Sequence, residues 1–131
     1  MPSAIDTNVL LRIMIDENSE HGARAMARFE TGGLIVGPSV LLETEWVLRS
    51  RYGLSAQTVN RLMTALVTSP NIQFGNESMV RDAIAAHGDG MDFADALHLF
   101  GAAECNEFLT FDKDLTRSAK SYPNAPAVRE P

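Results

Sequence analysis

Apolar runs of only three or four residues, among them Leu34-Ile-Val-Gly37, Ile72-Gln-Phe74 and Phe108-Leu-Thr-Phe111, recur along this chain and alternate with longer stretches of helical periodicity. Strands so short and apolar are buried on both faces, and helices between them are the crossovers that parallel strands require. The pattern predicts an α/β fold, three layers α/β/α around a central parallel sheet. Its expected strands are Ala4-Ile5 and the three runs above, with a last extended piece near Ala127-Val128. The expected helices run from Glu20 to Phe29, through Arg51, from Ser55 to Val67, from Asn76 to about His87, from Asp92 to Glu104 and from Leu115 to Ala119. Ser55 reads as an N-cap and Tyr52-Gly53 as the turn before it. The tail after Ser121, with three of the six prolines, reads as a ragged end or a short edge strand.

At 131 residues the chain reads as a single domain, 1–131. No apolar run reaches the ~20 residues of a membrane span, and the start lacks a basic segment followed by an apolar core. A cytoplasmic protein without membrane attachment is expected. The one cysteine, Cys105, is expected as a packed small thiol. A net charge of −6 excludes a broad basic surface that clamps nucleic acid over many phosphates. A polyanionic substrate would therefore need positive charge from a divalent metal.

Acidic residues stand where such an ion would be held. Ligands of open parallel sheets bind beyond the carboxyl ends of the strands, and Asp6 and Asp112 each follow an expected strand directly. Asp95 falls in the first turn of the helix that Asp92 would cap, so Asp92 can cap while Asp95 faces the site. In "LLETEWVLRS", Glu45 has Arg49 one turn on and is assigned to the surface, whereas Glu43, with Val40, Trp46 and Val47 as helical neighbours, is assigned to the acidic cluster. Two carboxylates ~4 Å apart repel by about 4 kcal/mol at an effective dielectric of 20, so converging acids need a counter-ion. Hard oxygen ligands select Mg²⁺ or Mn²⁺, and the reaction class implied is metal-dependent phosphodiester hydrolysis. Thr7, Asn8 and Thr110 read as residues that bond the adjacent turns or steady the acids, and Asp114 either as a further ligand or as an acid in the first turn of a short helix.

Four stretches in order, "AIDTNVLLR", "LLETEWVLRSRYGLS", "DFADALH" and "LTFDKDL", resemble the PIN-domain family over about Ala4 to Leu115, and within it the VapC toxins of type II toxin–antitoxin modules. The resemblance implies a Mg²⁺- or Mn²⁺-dependent ribonuclease with catalytic, metal-binding Asp6, Glu43, Asp95 and Asp112. It also implies a homodimer and a VapB-like antitoxin whose tail enters the active-site groove, and DNA binding only through that antitoxin. An acidic groove favours such an insertion.

His98 shares a face with Asp95 but reads as a packed or surface residue, because metal-bound water supplies the nucleophile. His21 and His87 read as structural and Trp46 as core. Lys113, Arg117 and Lys120, and separately Arg49, Arg51 and Arg61, are basic groups that either meet phosphates or are solvated. Two other readings compete. One is a non-catalytic PIN-like module that binds RNA or protein, against which retention of all four acids stands. The other is a phosphatase built on Asp112-x-Asp114, which needs far more chain than the 15 residues after Thr116.

Overall fold

The structure, a computed structural model, describes residues 1–15 and 18–131. Residues Met1–Glu77 and Ser78–Pro131 form two compact units.

In the first unit β1 (Ser3–Ala4), β2 (Leu34–Val36) and β3 (Ile72–Phe74) make a parallel sheet in that order, with Ser3 opposite Leu34 and Leu34 opposite Ile72. β1 lies one residue earlier than expected, although the ladder carries on into Ile5, whose N–H donates to the Ile35 carbonyl at 3.2 Å. The central strand is the most buried, with Leu34 and Val36 buried on one face and Ile35 half-buried on the other, while both residues of the edge strand β1 are exposed. Because the strands are parallel, Asp6 and the entry to the helix after β2 leave the sheet at the same end.

A helix absent from the expectation follows β1 at once: α1 (Thr7–Met14), begun by Asp6 as N-cap and held inward by Leu10 and Leu11. Thr7 and Asn8, read as turn residues, are its first two positions; polar residues are common there because the opening N–H groups still seek acceptors. Ser19 caps α2 (Glu20–Thr31), with its hydroxyl accepting from Gly22 N–H at 3.0 Å, and Gly32 at φ 80° ends it in a conformation that favours glycine. α3 (Pro38–Ser50) starts with proline at its first turn, and α4 (Ala56–Val67) is capped by Ser55 as expected.

α3 corrects two assignments, those of Trp46 and Glu45. Its inward stripe is Leu41, Thr44, Glu45 and Leu48, so Glu43 and Trp46, three apart, share the opposite, exposed face. Trp46 is 54% exposed, not core. Glu45, assigned to the surface, is only 2% exposed. The expected pairing with Arg49 is present, Nε to Oε2 at 2.5 Å and Nη2 to Oε1 at 3.1 Å, and this two-point bond is what makes the buried carboxylate tolerable.

In the second unit α5 (Glu77–Gly88) and α6 (Phe93–Gly101) precede a parallel pair, β4 (Glu107–Leu109) and β5 (Ala127–Arg129), joined by α7 (Lys113–Ala119). Glu77, the first residue of α5, closes the first unit. β5 confirms the extended piece foreseen in the proline-rich tail. Arg129 Nε meets Glu107 Oε2 at 2.6 Å across the pair. α6 stops three residues before the expected Glu104, leaving Cys105 in the turns beyond it, exposed rather than packed. β4 likewise ends at Leu109, so Asp112 does not follow the strand directly; Thr110 and Phe111 intervene. The connection into β5 is pinned by Tyr122 Oη donating to Asp89 Oδ2 at 2.6 Å and by Asn124 Nδ2 on both Asp82 oxygens at 3.1 and 3.3 Å. His87 is buried in α5, edge-on to Phe93 with ring centroids 5.4 Å apart. Among the described residues no helix is long and apolar enough to cross a membrane.

Candidate active site

The acids singled out in the sequence stand at or near helix starts, and this geometry gives most of them a local bond as well as a charge. Asp6 adopts an extended backbone between β1 and α1, and its Oδ1 accepts from Val9 N–H at 3.1 Å. Only one carboxylate oxygen is spent in that bond. Thr7, the next residue, donates its hydroxyl to Glu43 Oε1. The contact ties the second turn of α3 to the residue beside Asp6, and it supplies the partner that Glu43 lacked in the sequence reading. Asn8 is exposed in the first turn of α1.

Within the second unit, Asp92 caps α6 as expected, its Oδ1 accepting from the Asp95 N–H at 3.0 Å. Asp95, part-buried, has its carboxyl raised above the usual carboxylate range, first by burial, then by the charges of Asp92 and Asp112, with His98 opposing. Asp95 therefore feels the charges of both Asp92 and Asp112. His98, set aside in the sequence reading, acts on Asp95 through its charge, and the signal was its place one turn along the same helix. Asp112 caps α7, with Oδ1 accepting from the N–H groups of Asp114 at 2.9 Å and Leu115 at 3.1 Å. Thr110 Oγ1 accepts from Asp112 N–H at 3.0 Å and so fixes that turn. Asp114 is exposed and pairs with Arg117 at 3.2 Å, which favours the helix-turn reading over the ligand reading.

Three of these acids thus meet backbone donors at helix N-termini, where the helix dipole favours negative charge. Strand-end reasoning located Asp6 and Asp112 but missed their caps. The donors offered are carboxylate and hydroxyl oxygens with no thiolate among them, a set that suits a hard divalent cation such as Mg²⁺ or Mn²⁺. Asp95 is raised first by burial, and the part added by Asp92 and Asp112 is of the kind a cation relieves. Among the described residues no group of three or more His, Cys, Asp or Glu side chains is arranged to hold a metal ion. The acids fit the cation by type of donor rather than by a formed cluster.

A protein-family model, that of the PIN domain, matches residues 4–121 and so takes in every acid described above. No curated protein and no solved structure matches the chain. With the match running from β1 through α7 over both units, this chain belongs to the PIN domain family, a nuclease-like fold.

Proposed function

We propose that the chain is a Mg²⁺- or Mn²⁺-dependent ribonuclease, the toxin of a type II toxin–antitoxin module of the VapC kind. In this reading it works in the cytoplasm as a homodimer of single-domain protomers and is inhibited by a VapB-like antitoxin, which also carries any DNA binding. Asp6, Glu43, Asp95 and Asp112 are its catalytic and metal-binding acids, and Thr7, Asn8, Asp92, Thr110 and Asp114 support them. The observation that carries the reading is the match of the PIN domain to residues 4–121, which takes in all four acids. Burial and, after it, the charges of Asp92 and Asp112 raise the Asp95 carboxyl, and a part-buried acid among acids is a functional-site candidate.

When bound, a divalent ion supplies an activated water and neutralises charge on the leaving oxygen. The chain's own residues orient the acids. Thr7 holds the Glu43 carboxylate against α1, so that the two elements carrying Asp6 and Glu43 are linked at those residues. Asp92 engages the Asp95 backbone and leaves the Asp95 side chain free of that bond. The opening N–H groups of α7 fix the Asp112 carboxylate through Oδ1, while Thr110 Oγ1 holds the Asp112 backbone N–H. His98 offsets part of the repulsion on Asp95.

Incubation of the purified chain with total RNA tests the reading. Cleavage in Mg²⁺ or Mn²⁺, its loss in chelator and its loss in a folded Asp95→Asn variant are expected. Intact RNA under every condition overturns it. The absence of a grouped three-residue metal set among the described residues favours a second reading, a PIN-like module that binds RNA or protein without cutting. RNA that is bound but never cleaved would decide for that module.

A further inference from the structure

Beside the edge strand of the first unit lies a groove of about 610 Å³ whose charge is opposite to that of the chain as a whole. Val9, Ala25 and Leu34 give it an apolar base, the last of these fully buried. Arg12, Arg24, Arg28 and His21 stand around it, so three of the chain's eleven lysines and arginines line one groove of a protein with net charge −6. The arrangement follows from helical spacing: His21, Arg24, Ala25 and Arg28 form one stripe of α2, and Asn8 and Arg12, four apart, face it from α1. Arg28 is held in place by Gly32 O at 2.7 Å and Ser3 Oγ at 3.2 Å, and Arg12 reaches Ser19 Oγ at 3.1 Å. Among the described residues no carboxylate pairs with Arg24 or Arg28, so their charge is open to an anion from outside. The groove lies close to Asp6 and Thr7 along the chain, since Ile5 and Asn8, the residues that flank them in sequence, both line it.

We infer that this groove holds the single-stranded RNA substrate next to the scissile bond, its arginines on consecutive phosphates and a base or ribose against the apolar base. The inference rests on the ribonuclease reading above and names where the substrate lies. An RNA strand meeting acids in a chain of net negative charge is repelled unless cations flank the reacting phosphate. Arginine forks suit phosphate oxygens, and an apolar surface between them suits the face of a nucleobase. An acidic peptide would satisfy the same charges, but the place of Ile5 and Asn8 in the lining, next to Asp6 and Thr7 in sequence, favours the polymer on which the acids act.

Arg24→Glu is the test, because Arg24 is exposed and makes no bond on which folding depends. Fluorescence anisotropy of the full chain with a short labelled single-stranded RNA, in chelator and over a range of salt, reads the interaction without cleavage. The variant should bind roughly five- to tenfold more weakly, and the slope of log affinity against log salt should fall by about 1, while Arg24→Lys retains most of both. Equal affinity and slope in Arg24→Glu, or no RNA binding by the wild type, overturns the groove. So does a labelled polyglutamate peptide whose binding depends on Arg24 while that of RNA does not. RNA held through Arg24 but left uncut in Mg²⁺ and Mn²⁺ would uphold the groove and overturn the ribonuclease reading alone.

Discussion

Asp6 performs two tasks that substitution can separate. As N-cap of α1 it accepts from Val9 N–H, and asparagine caps as well as aspartate does, whereas alanine forfeits ~1 kcal/mol. Asp6→Asn should therefore keep its melting temperature within about 1 °C of wild type and lose RNA cleavage, whereas Asp6→Ala should lose both stability and cleavage; calorimetry beside a cleavage assay reads the two effects. Asp95 behaves differently, because burial and the charges of Asp92 and Asp112 raise its carboxyl. A folded-state pKa above the unfolded value means that ionisation costs stability, a cost absent at low pH and incurred as pH rises through the raised value. Asp95→Asn should melt higher than wild type in chelator at neutral pH, and the gap should close as pH falls below about 4. Residue-level legibility was uneven for a geometric reason. The choice of Glu43 over Glu45 came from neighbours in sequence, which cannot say which side of α3 faces inward; three residues beyond Glu45, Leu48 belongs to the same buried stripe, and that register is set by tertiary packing.

Helix starts and strand ends are where this chain concentrates its polar chemistry. Ser19, Ser55, Asp92 and Asp112 each accept from the backbone of the helix they open, and of these Ser55 and Asp92 were legible as caps because periodic apolar residues follow them. α1 was not, since two polar residues separate its cap from the apolar run and suit a turn equally well. The α7–β5 connection depends on a different device, the bond from Tyr122 to Asp89, which with burial pushes the phenol up to about 12. The sign is that of a proton held more tightly in the folded chain, so the stabilisation is complete below pH ~10 and lost as pH rises through the folded-state value. Tyr122→Phe should cost roughly 0.5–1 kcal/mol at neutral pH, and urea midpoints of variant and wild type should converge above pH ~10.

At the scale of the whole chain, the parallel α/β class was legible because it depends only on the alternation of short apolar runs with helical periods, a pattern that survives errors of one or two residues at any boundary. β3 falls on Ile72–Phe74 as expected, the other strands differ from expectation by a residue or two at their ends, and every neighbouring pair is parallel. The acids are the harder case, since their cooperation is a property of residues far apart in sequence. Under the proposed function Glu43 and Asp95 serve the same ion. Binding that favours the folded state raises stability by RT ln(1 + [L]/Kd), about 2.7 kcal/mol at a hundredfold excess over Kd. Mg²⁺ or Mn²⁺ should accordingly raise the wild-type melting temperature by several degrees. Glu43→Gln and Asp95→Asn should each remove most of that rise, and the double variant should lose no more than the worse single one, because ligands of one ion fail together. Losses that add independently would separate the two acids, and a melting curve indifferent to metal at concentrations that support cleavage would remove the ion from the reaction.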